Sequence, residues 1–220
     1  AEQDQVAEHP IKYEEVSLYN PQNGFATFLI PAVLILIIQQ TLLLGVGMAA
    51  GTAREHNQFR NLVPVERHHR GLLRIVLGKG GAYLLVYIPL SVYVLGVVPH
   101  LFHLNQIGNP WNIALFATPF VIACILFSMT VSAFVRHREM CIMLIVFTSV
   151  PLLFISGLSW PGSAVPELWK AIGYVFPSTF GINGFVAINN MGAELGDVQH
   201  DWYMLWVQAG IYLVTTCRSI

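Results

Sequence analysis

Charge is what this sequence has least of. Only 10% of its 220 residues are Asp, Glu, Lys or Arg, against about 25% in ordinary soluble domains. Hydrophobic residues make up 55% and the mean hydropathy is +0.61, which excludes a typical soluble domain and places the chain among membrane proteins. A phosphate loop of the form GxxxxGK[ST] is missing, so the chain has no nucleotide-hydrolysing site of that kind. LGKGG at 77–81 lacks the first glycine at the right spacing and the Ser or Thr after Lys79. HExxH and GxSxG are missing too, which removes the common zinc-hydrolase and serine-hydrolase signatures. The three cysteines, Cys124, Cys141 and Cys217, form no CxxC pair and fall in or beside apolar runs, as small apolar filler does. No nucleic-acid partner is expected of a chain of this class.

Long apolar runs are what the sequence has in their place. A spanning helix needs about 20 mostly apolar residues, because a rise of about 1.5 Å per residue must cross about 30 Å of hydrocarbon. Five runs qualify, at about 25–50, 81–99, 111–135, 140–157 and 202–217. They predict an all-α polytopic helical bundle, with residues 1–23 as the end of an extracytoplasmic segment and 24–220 as the membrane domain. Nine of the eleven Lys and Arg lie in segment 53–80, in the RHRE hairpin and in the C-terminal tail, while the other side holds only Lys12 and Lys170. Alternation of the five spans puts all nine on one face, so by the positive-inside rule the N-terminal segment is outside and the C-terminus cytoplasmic in the cell's inner membrane. The chain starts at Ala1 with no signal-like region, and an upstream segment with a further span is expected.

The stretch 158–200, apolar but interrupted by Gly and Pro every few residues, contains no uninterrupted run of about 18 residues. Irregular backbone at membrane depth is tolerated only where it is buried in protein or lines a wet cavity. Two short helices, at about 166–175 and 179–188, dipping in from the outer face and returning would meet both constraints; an outer loop lying on the membrane surface is the alternative. Ser156, Gly157, Pro161, Pro166 and Pro177 are the candidate gate residues of this region.

Inside the spans essentially no ionisable residue occurs, which weighs against a proton- or sodium-coupled transporter. The conspicuous polar cluster is Gln39, Gln40 and Thr41, either lining a path or bonding between helices at about 0.6 kcal/mol per contact. His100 and His103 stand three apart in the outer loop, as two metal ligands or as interfacial histidines; a third ligand is not nearby, and no metal is expected. His68 and His69 lie among arginines.

The remaining feature is REHNQFRNLVPVERHHRGLLR, residues 54–74, with five of the eleven Lys and Arg. Positive-inside charge accounts for its sign. Its length exceeds what a connection between two spans needs, and Leu62, Val63 and Val65 give it an apolar patch. Such a segment can lie on the membrane surface or fit a groove on a partner.

The order of LYNP, a span, Arg54-Glu55 followed by Leu62 and Pro64, then Leu77 to Lys79, resembles the ABC type-2 permease family, the membrane subunit of ATP-binding-cassette exporters. FISGLSWPGSAVPELWKAIGYVFPSTFGING at 154–183 is similar to that family's later signature. The resemblance runs from about Leu18 to the end; His56, Asn57, Gln58 and Phe59 stand where such permeases commonly read Glu-x-Gly-Thr. It implies six spans per subunit, of which this sequence lacks the first and most of the extracytoplasmic domain. It also implies a homo- or heterodimer of permeases, separate cytoplasmic ATPase subunits that carry ATP and Mg, and a periplasmic adaptor in some assemblies. No cofactor is then bound by this chain and no residue is catalytic. Arg54, Glu55, His56, Arg60, Pro64, Arg67 and Arg70 become the ATPase-coupling segment, and amphipathic, drug- or lipid-like cargo is expected. The rival readings are an intramembrane lipid-modifying enzyme using His68, His69 or His103, and a scaffold or channel subunit without ATP coupling.

Overall fold

The computed structural model describes residues 25–56, 69–104, 106–135, 137–156 and 166–219. All secondary structure among them is helical. α1 is Phe25–Glu55, and α2 is His69–Val92, which continues through a π-helical turn, Tyr93–Val97, into α3, Val98–Leu101. α4 is Pro110–Ser132, α5 Arg138–Ile155, α6 Glu167–Gly173, α7 Pro177–Met191 and α8 Gln199–Ser219. The turn between α4 and α5 marks one end of the bundle, here the hairpin end. The loop between α3 and α4 marks the other, the loop end.

Among the described residues four helices are long and apolar enough to cross a membrane: Leu29–Glu55, Leu73–Leu101, Pro110–Ser132 and Arg138–Ile155. The fifth expected span coincides with α8, 21 residues long, but Gln199, His200, Asp201, Gln208, Thr216 and Arg218 leave it less apolar than these four. The first two helices also reach further into 53–80 than the composition suggested. α1 carries Arg54 and Glu55 as its last residues, and α2 begins at His69, so Leu77 to Lys79 lies inside a helix rather than at its start. Leu72, Leu73, Ile75 and Val76 continue the apolar pattern between the charges there, and long Arg and Lys stems reach an interface without breaking a helix. Arg60, Pro64 and Arg67, with His68, Gly157 and Pro161, lie outside the described residues. His69 and Arg70 form the first turn of α2.

α4 is the central helix, packed on α1, α2, α7 and α8, while α1 also packs on α5 and α7. Phe116, Phe120, Ile35, Ile38, Leu42, Ile182, Phe185 and Leu205 form the core where these helices meet. Within the most apolar stretch of each helix, 61% of α1 and 67% of α4 is buried, against 17% along α2 and α3 and 11% in α5. α2 and α5 are therefore peripheral, with apolar faces turned outward.

Small residues set the closest approaches, as membrane helices require when lipid supplies no hydrophobic driving force. Gly47 and Gly51, a GxxxG pair, put α1 against α5. A Cβ on Gly47 would lie 2.4 Å from Cys141 Sγ, and one on Gly51 would lie 2.7 Å from the Arg138 backbone N. Gly181 and Gly184 admit Phe120 and Phe116 of α4 in the same way.

Prolines inside helices free carbonyls, and side chains from other elements take two of them. Pro119 has no N–H for the Leu115 carbonyl, which accepts from Trp202 Nε1 of α8 at 3.4 Å. Pro99 likewise offers nothing to the Leu95 carbonyl, which accepts from Gln106 Nε2 at 3.0 Å. Most hydroxyls in the bundle, such as Thr118, Thr148 and Ser156, donate back to carbonyls three or four residues earlier in their own helix.

Candidate functional site

The feature that departs most from a simple bundle is the break between α6 and α7, which meet at 91° over three residues. Phe176, in the break, stacks edge-on against Phe127 of α4 with ring centroids 5.5 Å apart. Ser178, two residues past Phe176, bonds Gln39, 14 residues on from Phe25 and 16 before Glu55 in α1, so the break sits near the middle of the bundle, roughly 20 Å from either end of α1. α7 then climbs back. Its Asn189 carbonyl accepts from the backbone N–H of Ile107 and of Gly108, at 2.9 and 3.3 Å, in the loop at the far end.

A break this deep exposes backbone groups that a continuous helix would pair, and an unpaired one in hydrocarbon costs several kcal/mol. Those nearest the break find partners. The Gly173 carbonyl accepts from Phe176 N at 2.9 Å and from Thr179 Oγ1 at 2.7 Å. The Tyr174 carbonyl accepts from Gln208 Nε2 at 2.7 Å, and the Val175 carbonyl from the Tyr212 hydroxyl, both from α8. At the start of α7, Pro177 has no N–H to satisfy, which is why proline suits the first position of a helix. The Ser178 N–H donates to Gln39 Oε1 of α1 at 2.7 Å, and Thr179 N to the Phe176 carbonyl at 3.2 Å. α1 and α8 thus supply from their sides the donors and acceptors that the broken segment lacks.

Packing fixes the break sterically as well. A Cβ on Gly173 would approach Ile155 Cγ2 of α5 to 2.4 Å. Pro177, Ser178, Thr179 and Phe180 are buried, whereas Tyr174 and Val175 are about half exposed on the flank of the bundle. α7 ends at Gly192, whose φ of +68° is the left-handed conformation that glycine adopts without strain, and its N–H bonds the Ala187 carbonyl.

Of the path candidates, Gln39 is 1% exposed and caps α7, and Gln40 is 8% exposed and donates to Thr148 Oγ1 of α5 at 3.3 Å. Thr41 lies on the exposed side of α1 with its hydroxyl turned back to the Ile37 carbonyl. Of the gate candidates, Pro177 opens α7 in the buried break, Pro166 caps α6 on the surface, and Ser156 is buried at the end of α5.

The charged candidates gather at the hairpin end. The Arg54 guanidinium donates to the carbonyls of Val135 and Ala133, at 2.5 and 2.7 Å, beyond the last turn of α4. A cation at a helix C-terminus is favoured by the helix dipole, by about 0.3–1 kcal/mol when exposed. Glu55 accepts from Arg138 N at 3.1 Å and lies 3.7 Å from Arg138 Nε. Arg54 and Glu55 therefore clip α1 to the turn between α4 and α5, and His56 follows them, exposed. His100 and His103 are exposed near the loop end, His103 with φ of +50°. Among the described residues no three His, Cys, Asp or Glu side chains converge as metal ligands.

Ser178, Thr179, Gln208, Tyr212, Gln106 and Trp202 were not singled out from the sequence. One signal could have found two of them: Gln208, Tyr212 and Thr216 recur every four residues, a polar-tipped stripe along one face of α8. Thr216 uses that face to meet Thr130 of α4, Oγ1 to Oγ1, at 2.8 Å.

In architecture the chain is a polytopic all-α membrane protein with a broken helix buried against its central spans. A family model described as ABC-2 family transporter protein matches residues 1–218, and the chain belongs to that family. It is accordingly a multi-pass membrane permease of an ABC transporter, the transmembrane component rather than the ATPase. Members of the family generally work with an ATPase subunit. No curated protein and no solved structure matches the chain.

Proposed function

We propose that the chain is the permease half of an ATP-driven exporter in the inner membrane. In this reading the hairpin end and residues 57–68 face the cytoplasm and dock on a separate ATPase subunit that binds ATP and Mg. The loop end faces outward, α6 and α7 form the re-entrant outer gate, and two permease chains enclose the path. The observation that carries the reading is the depth of the α6–α7 break, held by Gln39 from α1 and by Gln208 and Tyr212 from α8. In this reading the broken segment takes a second position when the helices that hold it move. ATP binding at a partner can select between two such positions only through a contact that differs between them, and a charged segment between two spans supplies that contact. Scarce charge along the spans suits an amphipathic, drug- or lipid-like cargo.

Arg54 and Glu55 are engaged within the chain, so the docking charges in this reading are Arg60, Arg67 and Arg70. The test is co-purification of the permease with its ATPase, reconstitution in proteoliposomes, and a screen for compounds that stimulate ATP hydrolysis. Reversing Arg60 and Arg67 together should release the ATPase while membrane insertion persists; an undisturbed complex and undiminished transport would overturn the docking assignment. For depth, single cysteines at Glu194 and Val175 should differ, the first reacting with an impermeant maleimide from outside and the second not. Equal labelling of both would exclude a re-entrant gate.

A further inference from the structure

The loop between α3 and α4 makes two connections that the reading above does not use. On one side Gln106 Nε2 donates to the Leu95 carbonyl, four residues before Pro99 and within the π-helical turn. On the other, the next two backbone N–H groups, of Ile107 and Gly108, converge on the Asn189 carbonyl near the end of α7. The second connection is close. A Cβ on Gly108 would lie 2.3 Å from the Ile188 carbonyl oxygen, and the Ile107 side chain faces Gly192, the residue that ends α7. Three consecutive residues thus bridge the outer part of the α2–α3 rod to the tip of the broken helix.

We infer that Gln106 is a positioning residue that couples α2–α3 to α7, so that displacement of the peripheral helix is handed to the gate through the loop 106–108. Three features argue for it. α2 and α3 are far less embedded than α1 and α4, with 17% of their most apolar stretch buried against 61% and 67%, and so have the freedom to shift. α2 is the helix that follows the segment 57–68 in sequence. π-helical turns and proline, which coincide at Tyr93–Val97 and Pro99, mark places where a helix changes its hydrogen bonding at low cost. Gln106 sits on the carbonyl that such a change releases. A substitution that keeps bulk but removes the donor therefore loosens the junction without emptying space. The inference rests on the exporter reading for its consequence, transport, but its structural part stands apart from it.

The experiment uses the full chain with its ATPase in nanodiscs for distances and in proteoliposomes for transport, with spin labels at the exposed Leu101 and Met191. Gln106→Met keeps the side chain's length and removes the N–H; Gln106→Lys restores a donor. The coupling predicts that Gln106→Met broadens the label-to-label distance distribution and lowers transport per ATP about fivefold or more while hydrolysis continues, and that Gln106→Lys recovers most of it. Gly108→Ala, which breaks the other end of the bridge, should give the same pattern. In a Pro99→Ala background, where residue 99 regains an N–H for Leu95, the added loss from Gln106→Met should fall below twofold. Unchanged distances in Gln106→Met, or an equal loss with and without Pro99, would overturn the coupling. If the unsubstituted complex exports nothing in response to ATP, the exporter reading fails, and the label distances still decide whether Gln106 ties α3 to α7.

Discussion

The side-chain amide oxygen of Gln39, halfway along α1, accepts a 2.7 Å hydrogen bond from the backbone N–H of Ser178, the second residue of α7. Both residues are almost wholly buried, at 1% and 0% exposure. Through this bond a polar side chain in a spanning helix holds the start of a helix that begins inside the bundle.

Replacing Gln39 by Leu keeps the bulk and strands the Ser178 N–H, a loss of about 1–3 kcal/mol for a buried donor without a partner. The purified protein should unfold at a lower temperature than the unsubstituted one. A cysteine placed at Phe176 should also react faster with thiol reagents, because the break is held less firmly. An unchanged melting temperature together with an unchanged labelling rate would show that the cap is dispensable.

Gln208 and Tyr212 serve adjacent carbonyls, those of Tyr174 and Val175. Tyr212→Phe and Gln208→Leu should each destabilise by about 1 kcal/mol, the net worth of a typical hydrogen bond, since the two carbonyls are only partly buried. Their combination should fall short of the sum, since residues acting on one turn couple by about 0.5–3 kcal/mol. A double-mutant cycle on unfolding in detergent measures this, and strict additivity would argue that the two bonds hold separate elements.

Gly47 faces Cys141 with no room for a methyl group, whereas Gly45 faces open space. Gly47→Ala should cost about 1–3 kcal/mol by overpacking, while Gly45→Ala should be close to neutral or slightly stabilising. Cys141→Ala removes the sulfur that blocks the new methyl group and should rescue Gly47→Ala. Thermal unfolding of the four variants reports the pattern, and a failed rescue would place the clash elsewhere.

Arg54 joins α1 to the end of α4 through two carbonyls. Arg54→Lys keeps the charge but loses the planar fork that spans both acceptors, so it should loosen the hairpin end nearly as much as Arg54→Ala. Hydrogen exchange at residues 133–138 should rise several-fold in both variants. A lysine variant with native protection would mean that charge alone holds this corner.

The sequence by itself determined the class and most of the elements. Five charge-free or nearly charge-free runs were readable as spans because apolar length is the one requirement that hydrocarbon imposes locally, and four of them coincide with helices apolar enough to cross; the Gly- and Pro-broken stretch 158–200 was readable as two short helices for the converse reason. The helices Glu167–Gly173 and Pro177–Met191 stand where 166–175 and 179–188 were expected. The ends of α1 and α2 were less legible, since charged residues with long stems do not stop a helix as Gly and Pro do.

What only the tertiary structure decided is which polar groups meet. Gln39 read equally as path lining or as a bond between helices, because its sequence neighbourhood is the same in both cases. Ser178 is 139 positions away. Gln106 looked like an ordinary loop residue until the fold laid it on the carbonyl that Pro99 leaves without a donor. Such partners depend on helices distant in sequence arriving at one depth and one rotation, which no local pattern encodes; the backbone's need for a partner inside the bundle then selects them.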